Sequence, residues 1–138
     1  MARKTNISLV HPNEASKEIK ILYNRIESMT GRVSPLWRAM AHKPEYIKLM
    51  VDKFELLFGK TKLDLRTKLL LYLGTSIMNN CEVCIHAFTE RLIAMGVTDE
   101  EFVELYSVID TASGMNTVAN AAGITVKVLQ DILEEDKT

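Results

Sequence analysis

The sequence predicts an all-α protein, a single-domain helical bundle with a CxxC pair at the N-terminal start of a central helix. Three observations carry that class. Apolar residues recur at steps of three and four in segment after segment, which is the helical period. Those segments are separated by helix punctuation: Gly31, Pro35, Pro44, Gly59, Asn79–Asn80, Gly96 and Gly123. No run alternates apolar with polar residues as a half-buried strand does. A chain of 138 residues suits one domain over 1–138. That length buries a core without disulfide staples. There is no internal repeat and no long linker.

The elements follow in order. Asn13 is expected to cap a helix with the stripe Ala15, Ile19, Leu22, Ile26 and Met29, stopped by Gly31. Ser34 and Pro35 make an N-cap and first-turn pair for a short helix to about Ala41. Pro44 opens the next, with Ile47, Met50, Val51, Phe54, Leu57 and Phe58 on one side and Gly59 at its end. Asp64 caps a helix that is apolar almost all round (Leu65, Leu69, Leu70, Leu71, Leu73, Ile77), and such a helix belongs at the centre of a fold. Asn79 and Asn80 break it, and Asn80 is expected to cap the cysteine helix, which runs to Gly96. Thr98 and Glu101 form a capping box, with Phe102, Leu105, Tyr106 and Ile109 as the core side behind it. A segment of smaller residues follows, with Met115, Val118, Ala119 and Ala122 at helical spacing and room for close helix contact. The last helix carries Val128, Leu129, Ile132 and Leu133.

Charge and targeting narrow the function classes. Charged residues make up 25% of the chain and nearly balance, with net charge -1, which argues against a nucleic-acid partner. The basic stretch Lys60, Lys62, Arg66 and Lys68 reads as a solvated helix start, and Glu134 to Asp136 as a polar terminus. The N-terminal MARKTNISLVHPNE lacks the apolar run of a signal peptide. Leu69 to Met78 is too short to span a bilayer. The expectation is a cytoplasmic protein without a membrane partner. In a compartment that keeps thiols reduced, two cysteines three residues apart suggest metal or redox chemistry.

The segment NNCEVCIHAFTERLIAMG places Cys81, Cys84, Ile85, Phe88, Leu92 and Met95 on one stripe, so both thiols face the packed side. At about 100° per residue the two cysteines lie roughly 60° apart around the helix. Their α-carbons are expected about 5–6 Å apart, within disulfide reach. With Asn80 as cap, Cys81 would be the first helical residue. There the free amides and the positive dipole end stabilise a thiolate. Cys84 would be deeper. A thiolate with a partner able to resolve its oxidation product makes a thiol redox site. Two alternatives stand beside it. Free cysteines are common core residues, so the pair could be packing alone. CxxCxH also looks like three zinc ligands, but His86 lies about 200° around from Cys84, and only His11 and His42 remain elsewhere. A thioredoxin-type site would need a βαβ pattern, which is missing. No metal and no cofactor is expected.

The stretch from Asn79 to Gly96 resembles the signature helix of alkylhydroperoxidase D-like proteins of the carboxymuconolactone decarboxylase superfamily. The N-terminal LVHPNEASKEIKILYNRIESMTGRVSPLWRAMAHKPEY, with its G-x-V turn and H-x-P, is similar to the family's first half. SGMNTVANAAGI is similar to the segment after its catalytic hairpin. The resemblance implies an all-helical fold assembled as homotrimers or homohexamers. It implies a pair that cycles between dithiol and disulfide in peroxide or disulfide reduction, an antioxidant activity. Cys84 would attack the peroxide and Cys81 resolve it, and a dithiol electron donor, lipoyl-linked in the best-known members, would reduce the bridge. Decarboxylase members generally lack the pair. A redox-sensing oligomer with little turnover, or a lactone decarboxylase-type enzyme, stand as alternatives.

Two positions depart from the family pattern. The histidine usual four residues after the second cysteine is Phe88, and the glutamate usual twelve residues before the first is Leu69. Both replacements dry the thiol surroundings, which raises thiol pKa values, and removing a general base costs roughly 10²–10⁴-fold in rate. Tyr72 and Ser76, on the Leu69 side of the preceding helix, are candidate auxiliary hydroxyls. His86 is a candidate auxiliary group from an interface.

Overall fold

A computed structural model describes residues 5–137. Met1 to Lys4, the first residues of the N-terminal stretch read for targeting, and Thr138 lie outside the described residues. Seven helices follow one another, and no strand forms among the described residues. No helix among them is long and apolar enough to cross a membrane. The chain divides into two compact units, Met1–Lys62 and Leu63–Thr138.

In the first unit, α1 (Lys17–Thr30) packs on α3 (Pro44–Phe58), and α3 also carries α2 (Pro35–Met40). The cap of α1 is Ser16, whose hydroxyl accepts the Ile19 N–H at 3.3 Å. This corrects the placement of the cap at Asn13. The Glu14 N–H is held by the His11 carbonyl at 2.9 Å, so the chain is still turning there, and Ala15 is buried ahead of the helix. Gly31 ends α1 in the left-handed region (φ 77°), as a glycine can without a Cβ clash. Ile19, Leu22, Tyr23 and Ile26 form one core with Trp37, Ala41, Ile47 and Val51. Trp37 meets the half-buried Phe54 edge-on, with centroids 5.1 Å apart. Leu57, expected on the core side, is exposed, because it lies about 80° around the helix from Ile47. On the surface, Arg25 donates to Asp52 at 2.7 Å and to Glu55 at 2.6 Å, and Lys48 reaches Asp52 at 2.6 Å.

The second unit is built on α4 (Leu65–Met78), which packs against α5 (Glu82–Ala94) and α6 (Asp99–Ala121). Asp64 caps α4 through the Thr67 N–H at 2.9 Å. Leu69 and Leu73 are fully buried, while Leu65, Leu71 and Met78 are exposed. Lys68 corrects the reading of a solvated basic stretch: it falls beside Leu69 on the packed side and is buried, as a lysine stem permits. Arg66 is paired with Glu101. The capping box of Thr98 and Glu101 starts α6, which then runs unbroken through Ala121 and joins two segments that read as separate. Phe102 is buried and Leu105 and Ile109 half-buried, but Tyr106 is exposed. The final helix, α7 (Val126–Glu135), buries none of its residues. Val128, Leu129, Ile132 and Leu133 form an open apolar stripe rather than a core face within the chain.

Two outcomes test this packing. A Cβ at Gly74 would meet the Ile109 side chain at 3.6 Å, an ordinary contact. Gly74→Ala should therefore stabilise the fold by about 0.5–1 kcal/mol through helix propensity, read as a higher urea midpoint. A lower midpoint would show that α4 and α6 are closer than described. Lys48 and then Arg25 hold the Asp52 carboxyl below its usual range, and Arg25 does the same for Glu55. Depressed carboxyls contribute stability that is present above their unfolded values of about 4 and lost as pH falls through the folded ones. Arg25→Met should flatten the acid side of the stability profile measured by urea unfolding. An unchanged acid slope would contradict the pairing.

Candidate redox site

The site begins in the way α4 ends. The Asn79 N–H returns to Thr75 at 3.0 Å, the Asn80 N–H to Ile77 at 3.1 Å and the Cys81 N–H to Ser76 at 3.0 Å. Asn80 holds φ 53° and is the one non-glycine with positive φ among the described residues. This is a left-handed C-cap, closed by the bond from Cys81 back to Ser76. Gly96 and Gly123 occupy the same position after α5 and α6, at φ 83° and 67°. There Val97 returns to Leu92 and Ile124 to Ala119 by the same closing bond. Asparagine is the side chain that tolerates this region best after glycine.

The reading of Asn80 as the cap of α5 is therefore corrected. Asn80 completes α4, and Cys81 is the N-cap of α5 rather than its first helical residue. The Cys81 carbonyl accepts the Ile85 N–H at 2.9 Å, the first rung of the α5 ladder. One residue thus closes one helix with its amide and opens the next with its carbonyl. Cys84 follows in the first turn of α5. The two cysteines are joined as a disulfide with α-carbons 5.3 Å apart, within the separation their spacing predicts, and both are half-buried.

One turn beyond Cys84 lies Phe88, buried and stacked on Tyr72 of α4 with centroids 3.8 Å apart and planes 20° from parallel. Arg91 lies 5.8 Å from the Phe88 centroid, within cation–π range. Burial lowers the pKa of this guanidinium, which still keeps its proton at any ordinary pH. Burial raises the Tyr72 phenol, so Tyr72 is a neutral hydroxyl and not a base near neutrality. Leu69 is fully buried. The two positions where the family pattern places proton-handling groups are therefore both apolar and dry.

The three auxiliary candidates fall in different places. Ser76 is buried and its hydroxyl donates to the Tyr72 carbonyl at 2.8 Å, while its own carbonyl holds the Cys81 amide. Its main-chain role at the turn is thus explicit. Tyr72 is brought to Phe88. His86 is exposed, with Nε2 3.4 Å from Glu90 Oε1 one turn on, and points off the thiol face. The sequence reading missed the left-handed Asn80, for which the Asn-Asn pair was the available signal. It also missed Arg91, which follows Cys84 by seven residues and so shares its face of α5.

The turn makes a direct prediction. Asn80→Gly should leave stability unchanged or slightly raised, whereas Asn80→Val should cost about 1–2 kcal/mol by forcing a branched side chain into the left-handed region. Denaturant midpoints of the two variants compare them. Equal midpoints would mean that Asn80 does not hold this conformation in solution.

Comparisons with known proteins agree with the architecture. Residues 44–127, more than half of the chain, match the model of the carboxymuconolactone decarboxylase family. The crystal structure of the alkylhydroperoxidase AhpD core from Rhodospirillum rubrum ATCC 11170 matches with a TM-score of 0.82 at 27% identity. The match covers 90% of this chain and 95% of that one. No curated protein matches the chain. An all-helical fold, a CxxC pair closed across the first turn of α5 and a family match over most of the second unit and part of the first lead to one assignment: the chain belongs to the carboxymuconolactone decarboxylase family, as an alkylhydroperoxidase D-like protein.

Proposed function

We propose that the chain is a thiol–disulfide oxidoreductase in which Cys81 and Cys84 cycle between dithiol and disulfide, reducing a peroxide or a disulfide at the expense of a dithiol donor. The observation that carries this reading is the pair itself: two half-buried cysteines bridged within one helical turn, beside the amides of a helix start. Such a pair closes without unfolding its helix, and the helix start favours the thiolate needed for attack.

In the peroxide reaction a thiolate attacks the O–O bond. It becomes a sulfenic acid, and the alcohol leaves after taking up a proton. The second thiol then displaces water to give the disulfide. A dithiol donor, lipoyl-linked in the best-known members of the family, returns both thiols and is itself oxidised to a disulfide. The family pattern gives the attack to Cys84 and the resolution to Cys81. A peroxidase role would be antioxidant, and a pair that a donor must return to the dithiol suits a thiol-reducing cytoplasm. The open apolar stripe of α7, with exposed Met115 and Val118 on α6, favours a homo-oligomer, trimer or hexamer by resemblance, since apolar surface of this kind calls for a cover.

A second reading is favoured by Phe88 and Leu69: a redox sensor whose bridge forms reversibly with little turnover. Steady-state peroxide consumption with a dithiol donor separates the readings when the parent is compared with Cys81→Ser/Cys84→Ser. The oxidoreductase reading predicts a rate above background that the double variant loses. Equal rates overturn it. A bridge that forms on mild peroxide, by free-thiol count and mass, with turnover at background, gives the site to the sensor.

A further inference from the structure

We infer that Cys81, not Cys84, holds the reactive thiolate in this chain, with Cys84 as the resolving thiol. The inference rests on the pair being redox-active, as proposed above, and reverses the order that the family pattern supplies.

Of the other six helices, α2 at Ser34 and α3 at Lys43 begin without a side-chain cap bond, and four begin with one. Ser16, Asp64, Thr98 and Thr125 are N-caps, and each side-chain oxygen accepts the backbone N–H three residues on: Ile19, Thr67, Glu101 and Val128. Cys81 is the N-cap of α5, and three residues on is Cys84. The donor that a cap at Cys81 would receive is therefore the main-chain N–H of its own partner. That amide precedes the first rung of the ladder, which is Ile85 to Cys81. In the disulfide form Cys81 sits at ψ 86°, against 160° to 167° at the four bonded caps, and its sulfur makes no cap bond. Reduction frees the sulfur to turn into the cap position. A thiolate there gains a charge-assisted hydrogen bond as well as the dipole end of the helix.

Cys84 has no equivalent. A side chain at the third helical position can reach back to the N-cap amide, as Glu101 Oε2 does to the Thr98 N–H at 2.9 Å. At α5 that amide is already given to the Ser76 carbonyl at 3.0 Å. Cys84 instead has the buried Phe88 one turn along its face, and an apolar neighbour disfavours the thiolate. Glu82, exposed at the first position of α5, is the nearest carboxylate in sequence to both sulfurs. His86 is engaged with Glu90.

The peroxide step then places the new S–O bond on Cys81. Its thiolate is oxidised to the sulfenic acid, the O–O bond breaks, and the alkoxide takes a proton from solvent. The Cys84 thiol displaces water from Cys81, closing the bridge, and the dithiol donor supplies the two electrons that reopen it.

Three measurements on the full chain decide it. Reduced protein, labelled briefly at neutral pH with a substoichiometric amount of iodoacetamide, should carry the label on Cys81 at least about 10-fold more often than on Cys84 by peptide mass. Cys84→Ser given one equivalent of hydrogen peroxide should form a dimedone-trapped sulfenic acid at Cys81, and Cys81→Ser should form one at Cys84 at least about 10-fold more slowly. Cys81→Asp, which supplies a permanent cap acceptor, should melt above Cys81→Ala. Preferential or equal labelling of Cys84, in a protein whose bridge still forms on peroxide, overturns the order and leaves the redox pair intact. Equal melting of the two Cys81 variants removes the cap. A bridge that never forms removes the redox reading as well.

Discussion

The hydrogen bond from the Cys81 amide to the Ser76 carbonyl, 3.0 Å long, is the constraint on which the site depends. It closes the left-handed turn at Asn80, so only Asn79, Asn80 and Cys81 separate α4 from α5. A longer loop would leave Cys81 to choose among backbone conformations and would add entropy to closing the pair. Here both its amide and its carbonyl are committed to helices that pack on each other. The sulfurs are placed by main-chain geometry before any side chain of the site is considered.

The positions that the family pattern gives to a proton relay carry groups of a different kind. Leu69 is fully buried, Phe88 is buried against Tyr72, and Arg91 lies over the Phe88 ring. Tyr72 keeps its proton and Arg91 keeps its charge, so neither accepts a proton near neutrality. On the proposed chemistry, stabilisation of a thiolate would fall to the backbone of the α5 start. Main-chain amides favour the anion once it has formed, but they do not carry the proton away. On this account thiol–disulfide exchange, which starts from thiolate already present, suits the site better than a reaction needing a base in step with attack.

Much of this was legible in the sequence. Periods of three and four gave the helices, and the capping residues Asp64 and Thr98 and the stops Gly31 and Gly96 were read where they act. The CxxC spacing on a helix sets the distance between the cysteines. The failures share a physical origin. Asn13 and Asn80 can each cap a helix or take a turn conformation, and only the surrounding hydrogen bonds decide which. The apolar residues of α7 show the helical period clearly, but periodicity does not say whether the covered face lies within the chain. Lys68 reads as solvated because charge dominates its appearance in sequence, while its long stem and its place beside Leu69 decide its burial.

The central claim is that Cys81 and Cys84 are a reversible couple. The most direct test is equilibration of the full chain in dithiothreitol buffers of graded redox potential, followed by acid quench, alkylation and intact-mass analysis. The account predicts a single two-electron transition between a doubly alkylated form and an unalkylated, bridged form, retraced when the buffer is reversed. Persistence of two free thiols through the most oxidising buffer, or a bridge found only between separate chains, would contradict it.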